Sequence, residues 1–589
     1  MNVHGGTGLE SLHGKVSVDY NFREHCIAFP ITKSYHKDTA SEDTFETLSN
    51  WINDCSKEHS CVESSQSILP QRVLDVGIND TTPKKFRRLR VHESSGQSGS
   101  YAALSHCWGS SPIVTSLKSN FHIRKNHISW NELSKTFQDA VTITRKLGIP
   151  YLWIDSLCII QDDPGDWEIQ SSKMLSIYSR ACLTIAADHA ENGDGGCFAS
   201  SFKKPLLVRQ IGFPETLQRH GTASIEWDKE CGLHPVHANF VRPGRFAYPL
   251  SSLSSRGWTL QERLLSRRIV HYTSWELVWE CRRVVDCQCG RIASEETKTL
   301  MHDFHENLHQ KAKTPELIKL WMRVVEEYSK RRLTYERDKL VAIDGLVRLF
   351  EINGLKHGFA GNWMANIREM VLWSRAGRQE VSRSTECSVP TWSWASYPDS
   401  LFFDLLWRLN DPRLKRRYPT RIFSLSVERG VSGQMLDKRL TVIGTAVTLK
   451  PAAVQDLEGR SALNEYRHFL ACKRSATLCL ALPDYQQEFE KIIQEGQTVT
   501  GLLWHVVLDR TRSKEDDIFH VSQYSSHILI LQHDPQNINQ YRRLGLAFIN
   551  WSFHVDNAIP PPKIDGMKQE WGLGKDWFKN ATLQKLTII

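Results

Sequence analysis

Tyr101-Ala-Ala-Leu-Ser-His-Cys-Trp-Gly109 is a short apolar run that gives way to polar residues and a break. Tyr101–Ser105 reads as a strand, Trp108-Gly109 ends it, and Ser110-Ser-Pro112 keeps the following loop open. Side chains just past such a break lie at the carboxyl edge of a sheet, where α/β proteins bind ligands. Downstream, Phe137, Ala140, Val141, Thr144 and Leu147 recur at helical spacing, with Ser134 as N-cap and Gly148 and Pro150 as stops. Tyr151–Ile154 is apolar on both faces, as a central parallel strand is, and Asp155 falls at its end. Asp163-Pro164 opens the next helix, whose face is Trp167, Met174, Leu175, Tyr178 and Ala181. Leu183–Ala187 is a further buried strand. The order strand, helix, strand, helix, strand predicts an α/β fold, a parallel sheet covered by helices.

Upstream, Phe45, Leu48, Trp51 and Ile52 have helical spacing, and the segments 71–76 and 86–91 alternate like a strand hairpin. Residues 190–250 read as insertion loops around a minor strand. Beyond them, Trp258–Leu265 is a helix, and 268–272 and 275–281 are strands. Residues 296–350 are helical, with Leu317, Leu320, Trp321, Val324 and Tyr328 on one stripe. Past residue 396 the texture is β-like, with strand runs at 440–447, 502–508, 527–532 and 544–549. The expected division is 1–95, an N-terminal helix and hairpin; 96–285, the α/β domain; 286–395, helical; and 396–589, β-rich.

A chain of 589 residues is too long for one core. Its net charge of +8 is spread along the chain, and the densest basic run, 83–90, reads as a solvated face beside a strand, so nucleic-acid binding is not expected. No run approaches the roughly 18 apolar residues of a membrane span, and the first residues do not form a secretory signal. The 14 Cys are scattered, several inside apolar runs, as in a reduced, cytoplasmic protein. Cys55, His59 and Cys61 offer three metal ligands, with a fourth open among Cys281, Cys287 and Cys289. Their spacing matches no standard finger, and the competing reading is a helix end with inward-packed Cys. No metal site is assigned, and this trio is kept as the alternative.

These blocks resemble the signatures of the fungal heterokaryon incompatibility (HET) domain. Tyr101–Gly109 is similar to the first signature, 151–163 and 174–187 to the second, and Arg256-Gly-Trp-Thr-Leu-Gln-Glu-Arg263 to the third. Trp51, Cys55, His59 and Cys61, the segments 69–76 and 332–340, and 390–396 resemble the flanks of full-length members. The resemblance implies a role in nonself recognition between fungal individuals, ending in growth arrest or cell death.

HET domains in turn resemble, remotely, the flavodoxin-like TIR domain, with helices on both faces of a parallel sheet. Some TIR domains cleave NAD at the nicotinamide–ribose bond. Tyr101–Ser105 is similar to the first TIR strand, Asp155 with Gly165-Asp166 to its acidic strand end and helix opening, and Tyr178-Ser-Arg180 to its step into a buried strand. Trp258-Thr-Leu-Gln-Glu262 resembles Trp-Cys-Leu-x-Glu, whose Glu is the catalytic carboxylate. Thr259 departs from the TIR Cys, Gly257 stands where HET domains usually carry Ala, and the insertion 190–250 is long for a TIR loop.

The resemblance therefore implies Glu262 as the catalytic residue, with Ser105, Trp108, Asp155 and Trp258 contacting substrate. The competing reading of Glu262 is a surface carboxylate paired with Arg263 or Arg267 of its own helix; that of Asp155 is a turn former, and that of Trp108 core packing. Ser105 and His106 are adjacent on a strand, point to opposite faces and cannot act as a nucleophile–base pair by themselves. Two functions stay open: an NAD glycohydrolase, with NAD as substrate and no cofactor, and a non-catalytic association module. Both call for a protein partner or self-association through the HET domain.

Overall fold

The computed structural model describes residues 38–59, 61, 67–78, 88–109, 112–199, 251–274, 276–288, 299–310 and 312–356. Further on it describes 358–363, 366–376, 381–383, 389–403, 414–417, 421–429, 435–453, 468–472, 478–509, 524–534, 537, 540–549 and 581–589, together with the strands Gly14–Ser17 and Ser224–Trp227. Most of the insertion 190–250, and Cys289, lie outside the described residues. The chain divides into two compact units. One comprises Met1–Lys311 and Ile343–Leu346, the other Ala312–Ala342 and Val347–Ile589.

The first unit begins with α1 (Glu42–Lys57), capped by Ser41, whose side chain accepts from the Thr44 backbone N–H. Strands β1 (Arg72–Asp75) and β2 (Arg90–Glu93) form the expected hairpin, the second strand lying further along the chain than the alternation suggests. Next come β3 (Tyr101–Ser105), α2 (Lys135–Lys146), β4 (Tyr151–Trp153) and the short α3 (Asp155–Cys158). The single predicted helix after Asp163 is two, α4 (Pro164–Ser171) and α5 (Met174–Arg180), followed by β5 (Leu183–Ala186). Then follow α6 (Trp258–Leu265), β6 (Arg268–Tyr272), β7 (Leu277–Cys281), β8 (Val285–Cys287) and α7 (Leu300–His309).

The eight strands form one sheet in the order β8-β7-β6-β5-β3-β4-β1-β2. The middle four, β6-β5-β3-β4, are parallel. Every residue of β3, β5 and β6 is buried, as strands covered on both faces require. Both edges are antiparallel, so the sheet is mixed rather than parallel throughout. Connection length explains one edge: only residues 273–276 join β6 to β7, whereas a parallel return needs about a dozen residues. The hairpin β1–β2 also belongs to this sheet.

In the second unit α8 (Thr314–Ser329) buries Leu317, Leu320, Trp321, Val324 and Tyr328, the stripe read from the sequence. Trp321 meets Phe350 and Trp363 edge-on, at 5.1 and 5.4 Å between centroids. The β-rich region is a nine-stranded sheet. Its strands are β9 (Leu414–Arg417), β10 (Arg421–Arg429), β11 (Met435–Ala453), β12 (His468–Cys472), β13 (Leu478–Pro483), β14 (Val499–Asp509), β15 (Tyr524–His533), β16 (Gln540–Ile549) and β17 (Thr582–Ile588). Long β11 pairs with both β12 and β14, and β14-β15-β16-β13-β12 leads back to β11, so the ladder closes on itself. Alternate residues of β15 face two separate apolar clusters. Ile528 and Ile530 pack with Phe489 and Ile492 of α9 (Gln486–Gln494), while Leu529 and Leu531 pack with Trp392 and Trp504. Among the described residues no helix is long and apolar enough to cross a membrane.

Candidate functional site

The chain leaves β3 for β4 on one side and β5 for β6 on the other. The carboxyl ends of β3 and β5 thus flank the point where the winding reverses, the place where open α/β sheets hold ligands. Gly109 brings the two loops there together. Its φ is +69°, and a Cβ on it would stand 2.3 Å from the Cβ of Asn192 in the loop after β5.

Ser105, the last residue of β3, donates its hydroxyl to Glu262 Oε2. Glu262 is 7% exposed, on a helix tied at its start to the segment before it and at its end to β5. Thr259 Oγ1 donates to the carbonyls of Leu253 and Arg256, and Ser266 Oγ, which also meets Thr184 of β5, donates to the Glu262 carbonyl. Thr259 thus serves as a backbone clasp at the start of α6. Burial pushes the Glu262 carboxyl up to about 7, and the charge of Asp155 adds to this. The Ser105 hydrogen bond, the Arg256 guanidinium and the Tyr178 hydroxyl pull the other way. Arg263 pairs with Glu280. Its guanidinium donates to both carboxylate oxygens of Glu280, at 2.7 and 3.0 Å.

On the other side of β3, His106 meets Phe137 of α2 edge-on, and its Nε2 lies 3.8 Å from Asp155 Oδ1. Burial pushes this imidazole down to about 4, so it is neutral near pH 7. Ser105 and His106 thus face apart, as strand geometry requires. Trp108 Nε1 donates to Asp155 Oδ2 at 2.9 Å, and Asp155 Oδ1 accepts from the Ser156 N–H at 2.7 Å. Asp155 therefore shapes the turn, the role read for it as a turn former, and also orients the Trp108 indole. Burial pushes the Cys107 thiol up to about 11, which disfavours the thiolate near neutrality.

Four of the five sequence-predicted residues, Ser105, Trp108, Asp155 and Glu262, therefore gather at one sheet edge as two hydrogen-bonded pairs. Trp258 stands at the start of α6, edge-to-face with Trp167 at 6.2 Å. The sequence reading missed three contributors. Tyr178 of α5 donates to the Leu104 carbonyl at 3.2 Å, and its hydroxyl also lowers the pKa of the Glu262 carboxyl. Arg256 donates to the His106 carbonyl from two residues before α6. Asp188, just past β5, accepts from His271 Nδ1 at 2.8 Å, and its charge reaches Cys107. Each stood inside or beside a quoted block, and a polar residue following a buried strand was the available signal for Asp188.

The family model described as "Heterokaryon incompatibility protein (HET)" matches residues 101–262. This segment is similar to the HET domain. The match opens with the first residue of β3 and closes on Glu262, so the matched segment spans both ends of the Ser105–Glu262 hydrogen bond. No curated protein and no solved structure matches the chain.

Outside the HET match, Cys55 and Cys61 converge with Cys281, while His59 Nδ1 lies 3.5 Å from Cys281 Sγ. Cys287 is buried but does not join the three sulfurs.

Proposed function

We propose that the chain acts in heterokaryon incompatibility by cleaving NAD at the nicotinamide–ribose bond, with Glu262 as the catalytic carboxylate. The observation that carries this reading is the meeting of Ser105 and Glu262 at the carboxyl edge, within electrostatic reach of Asp155. The parallel strands support it as well. Counted along the chain, their spatial order is second, first, third, fourth, the order of a flavodoxin-like sheet. Right-handed crossovers running in opposite directions, from β3 to β4 and from β4 to β5, put α2 and α5 on opposite faces of such a sheet.

The chemistry asks little of the protein. The C1′–N bond breaks, its electron pair leaves with nicotinamide as a neutral molecule, and water adds to C1′ with loss of a proton. No strong general acid is needed. A carboxylate stabilises the oxocarbenium-like transition state and accepts the ribose hydroxyls. With its carboxyl at about 7, Glu262 is about half ionised near neutrality, and Ser105 and Arg256 favour that ionised form. Trp108, held by Asp155, offers an aromatic face for the departing ring.

Burial of Glu262 favours a second reading, in which Ser105 and Tyr178 merely satisfy a structural carboxyl in an association module. Expression of the chain in a fungal host separates the two. The catalytic reading expects cellular NAD to fall and growth to stop with the wild type, and neither with Glu262→Gln. Killing by both chains with NAD undiminished overturns it.

A further inference from the structure

We propose that Cys55, His59, Cys61 and Cys281 form a structural zinc site that fastens the N-terminal helix to the edge of the sheet. The three sulfur atoms lie within 4.8 Å of one another, all three residues are buried, and none is in a disulfide. They come from distant parts of the chain: Cys55 from the last turn of α1, Cys61 from the segment after it, and Cys281 from the last position of β7. Three thiols brought together across more than 200 residues form a constellation that apolar packing alone does not require.

His59 supplies the fourth ligand. Zn–S bonds of about 2.3 Å and Zn–N bonds of about 2.0–2.1 Å, meeting at a tetrahedral angle, put N and S roughly 3.6 Å apart. Its Nδ1 stands 3.5 Å from Cys281 Sγ. The ring now stands at one corner of the sulfur triangle, outside the convergence of the three thiols, and ligation requires it to turn toward the triangle's centre. Three soft thiolates and an imidazole select zinc over magnesium or calcium, which take oxygen ligands.

The surroundings match the charge such a site carries. Three thiolates and Zn²⁺ leave one negative charge. Arg268, 4% exposed, donates Nε to Cys55 Sγ at 3.2 Å and so supplies the balancing cation, while its Nη2 donates to Ser56 Oγ at 2.7 Å. The Val284 backbone N–H donates to Cys281 Sγ at 3.3 Å, the kind of contact that orients a thiolate ligand. Trp51 stacks on Trp279 at 6.1 Å and donates to Asp286 at 2.9 Å, holding α1 in register beside the site. A metal there fixes the chain 55–61 to β7, and its binding energy becomes folding energy of the first unit.

The test is elemental analysis of the purified full-length chain, prepared in zinc-containing medium without a metal-binding tag. The expected result is about one zinc per chain, released when a mercurial titrates the thiols and read with a chromogenic chelator. Cys61→Ala and Cys281→Ala lose the metal, Cys182→Ala keeps it, and His59→Ala weakens retention against a competing chelator by roughly tenfold or more. Zinc below about a tenth per chain, or Cys281→Ala with undiminished zinc, overturns the proposal. If the cysteine variants do not fold, X-ray absorption at the zinc edge of the wild type decides. Sulfur at about 2.3 Å and one nitrogen at about 2.0–2.1 Å support the site, and a shell of oxygen and nitrogen alone refutes it.

Discussion

Ser105 donates its hydroxyl to the carboxylate of Glu262, joining the end of the first parallel strand to a helix 157 residues further along the chain. Because the hydroxyl stabilises the ionised carboxylate, it is one of the groups that keep the Glu262 pKa from rising above about 7. Ser105→Ala removes it. The Glu262 pKa then rises by about one unit, the value of a hydrogen bond to a charged group. The carboxyl carbon resonance of Glu262 in labelled protein follows this directly, and an unchanged or lowered midpoint contradicts it.

Glu262 also leaves a mark on stability. Its folded pKa of about 7 stands above the ordinary 4.5, so folding takes up a proton between those values. The favourable contribution is complete below 4.5, declines as pH rises toward 7, and is gone above it. The accumulated cost at pH 8 is roughly 3 kcal/mol. Glu262→Gln keeps the shape and an acceptor for Ser105 but does not titrate. Urea unfolding should therefore give similar midpoints for the two proteins at pH 5 and a more stable variant at pH 8. Equal midpoints at both pH values would show that the carboxyl is not held in a desolvated place.

Two glycines with the same φ of +69° separate backbone strain from crowding. Gly148 has nothing within 4 Å of a Cβ built on it, whereas one on Gly109 meets Asn192 at 2.3 Å. Gly148→Ala should cost about 1 kcal/mol, the backbone penalty alone. Gly109→Ala should cost about 2–3 kcal/mol and shift the fluorescence of Trp108, whose loop must move. Equal costs would mean that the loops after β3 and β5 are not in contact.

In the second unit Arg543 is fully enclosed. It donates to both oxygens of Asp484, at 2.9 and 3.2 Å, and to the carbonyls of Val371 and Trp373, with its guanidinium 3.6 Å from the Trp373 ring centroid. Arg543→Leu strands a buried carboxylate and should destabilise this unit by about 3–5 kcal/mol. Adding Asp484→Asn should recover part of that loss, and a double variant no better than the single one would contradict the pairing.

The parallel core was legible because its strands are buried on both faces and its helices carry clear stops at Gly148 and Pro150. Trp258–Leu265 matches its predicted bounds for a similar reason: a regular apolar stripe between Gly257 and Ser266. What sequence alone could not carry was partnership. Arg263 and Arg267 stand beside Glu262 in sequence, yet the near one serves Glu280 of the neighbouring strand pair, and Glu262 turns inward to Ser105. Tyr178 read as one more apolar position on a helix face, because nothing in its spacing reveals that its hydroxyl reaches across to Glu262. Cys281 was one of three open choices beside Cys55 and Cys61, and only the pairing of β6 with β7 brings it to them. The antiparallel edges escaped for a related reason, since register and partner depend on connection length and packing more than on the strand's own residues.

The most direct measurement is nicotinamide release from NAD by the purified, concentrated chain, followed over time beside Glu262→Gln at matched concentration. Release by the wild type is expected, with a loss of at least about 100-fold in the variant, the scale seen when a group that stabilises developing charge is removed. Release at the same rate from both would take the chemistry away from Glu262, and no release from either would leave the HET domain without the activity proposed for it.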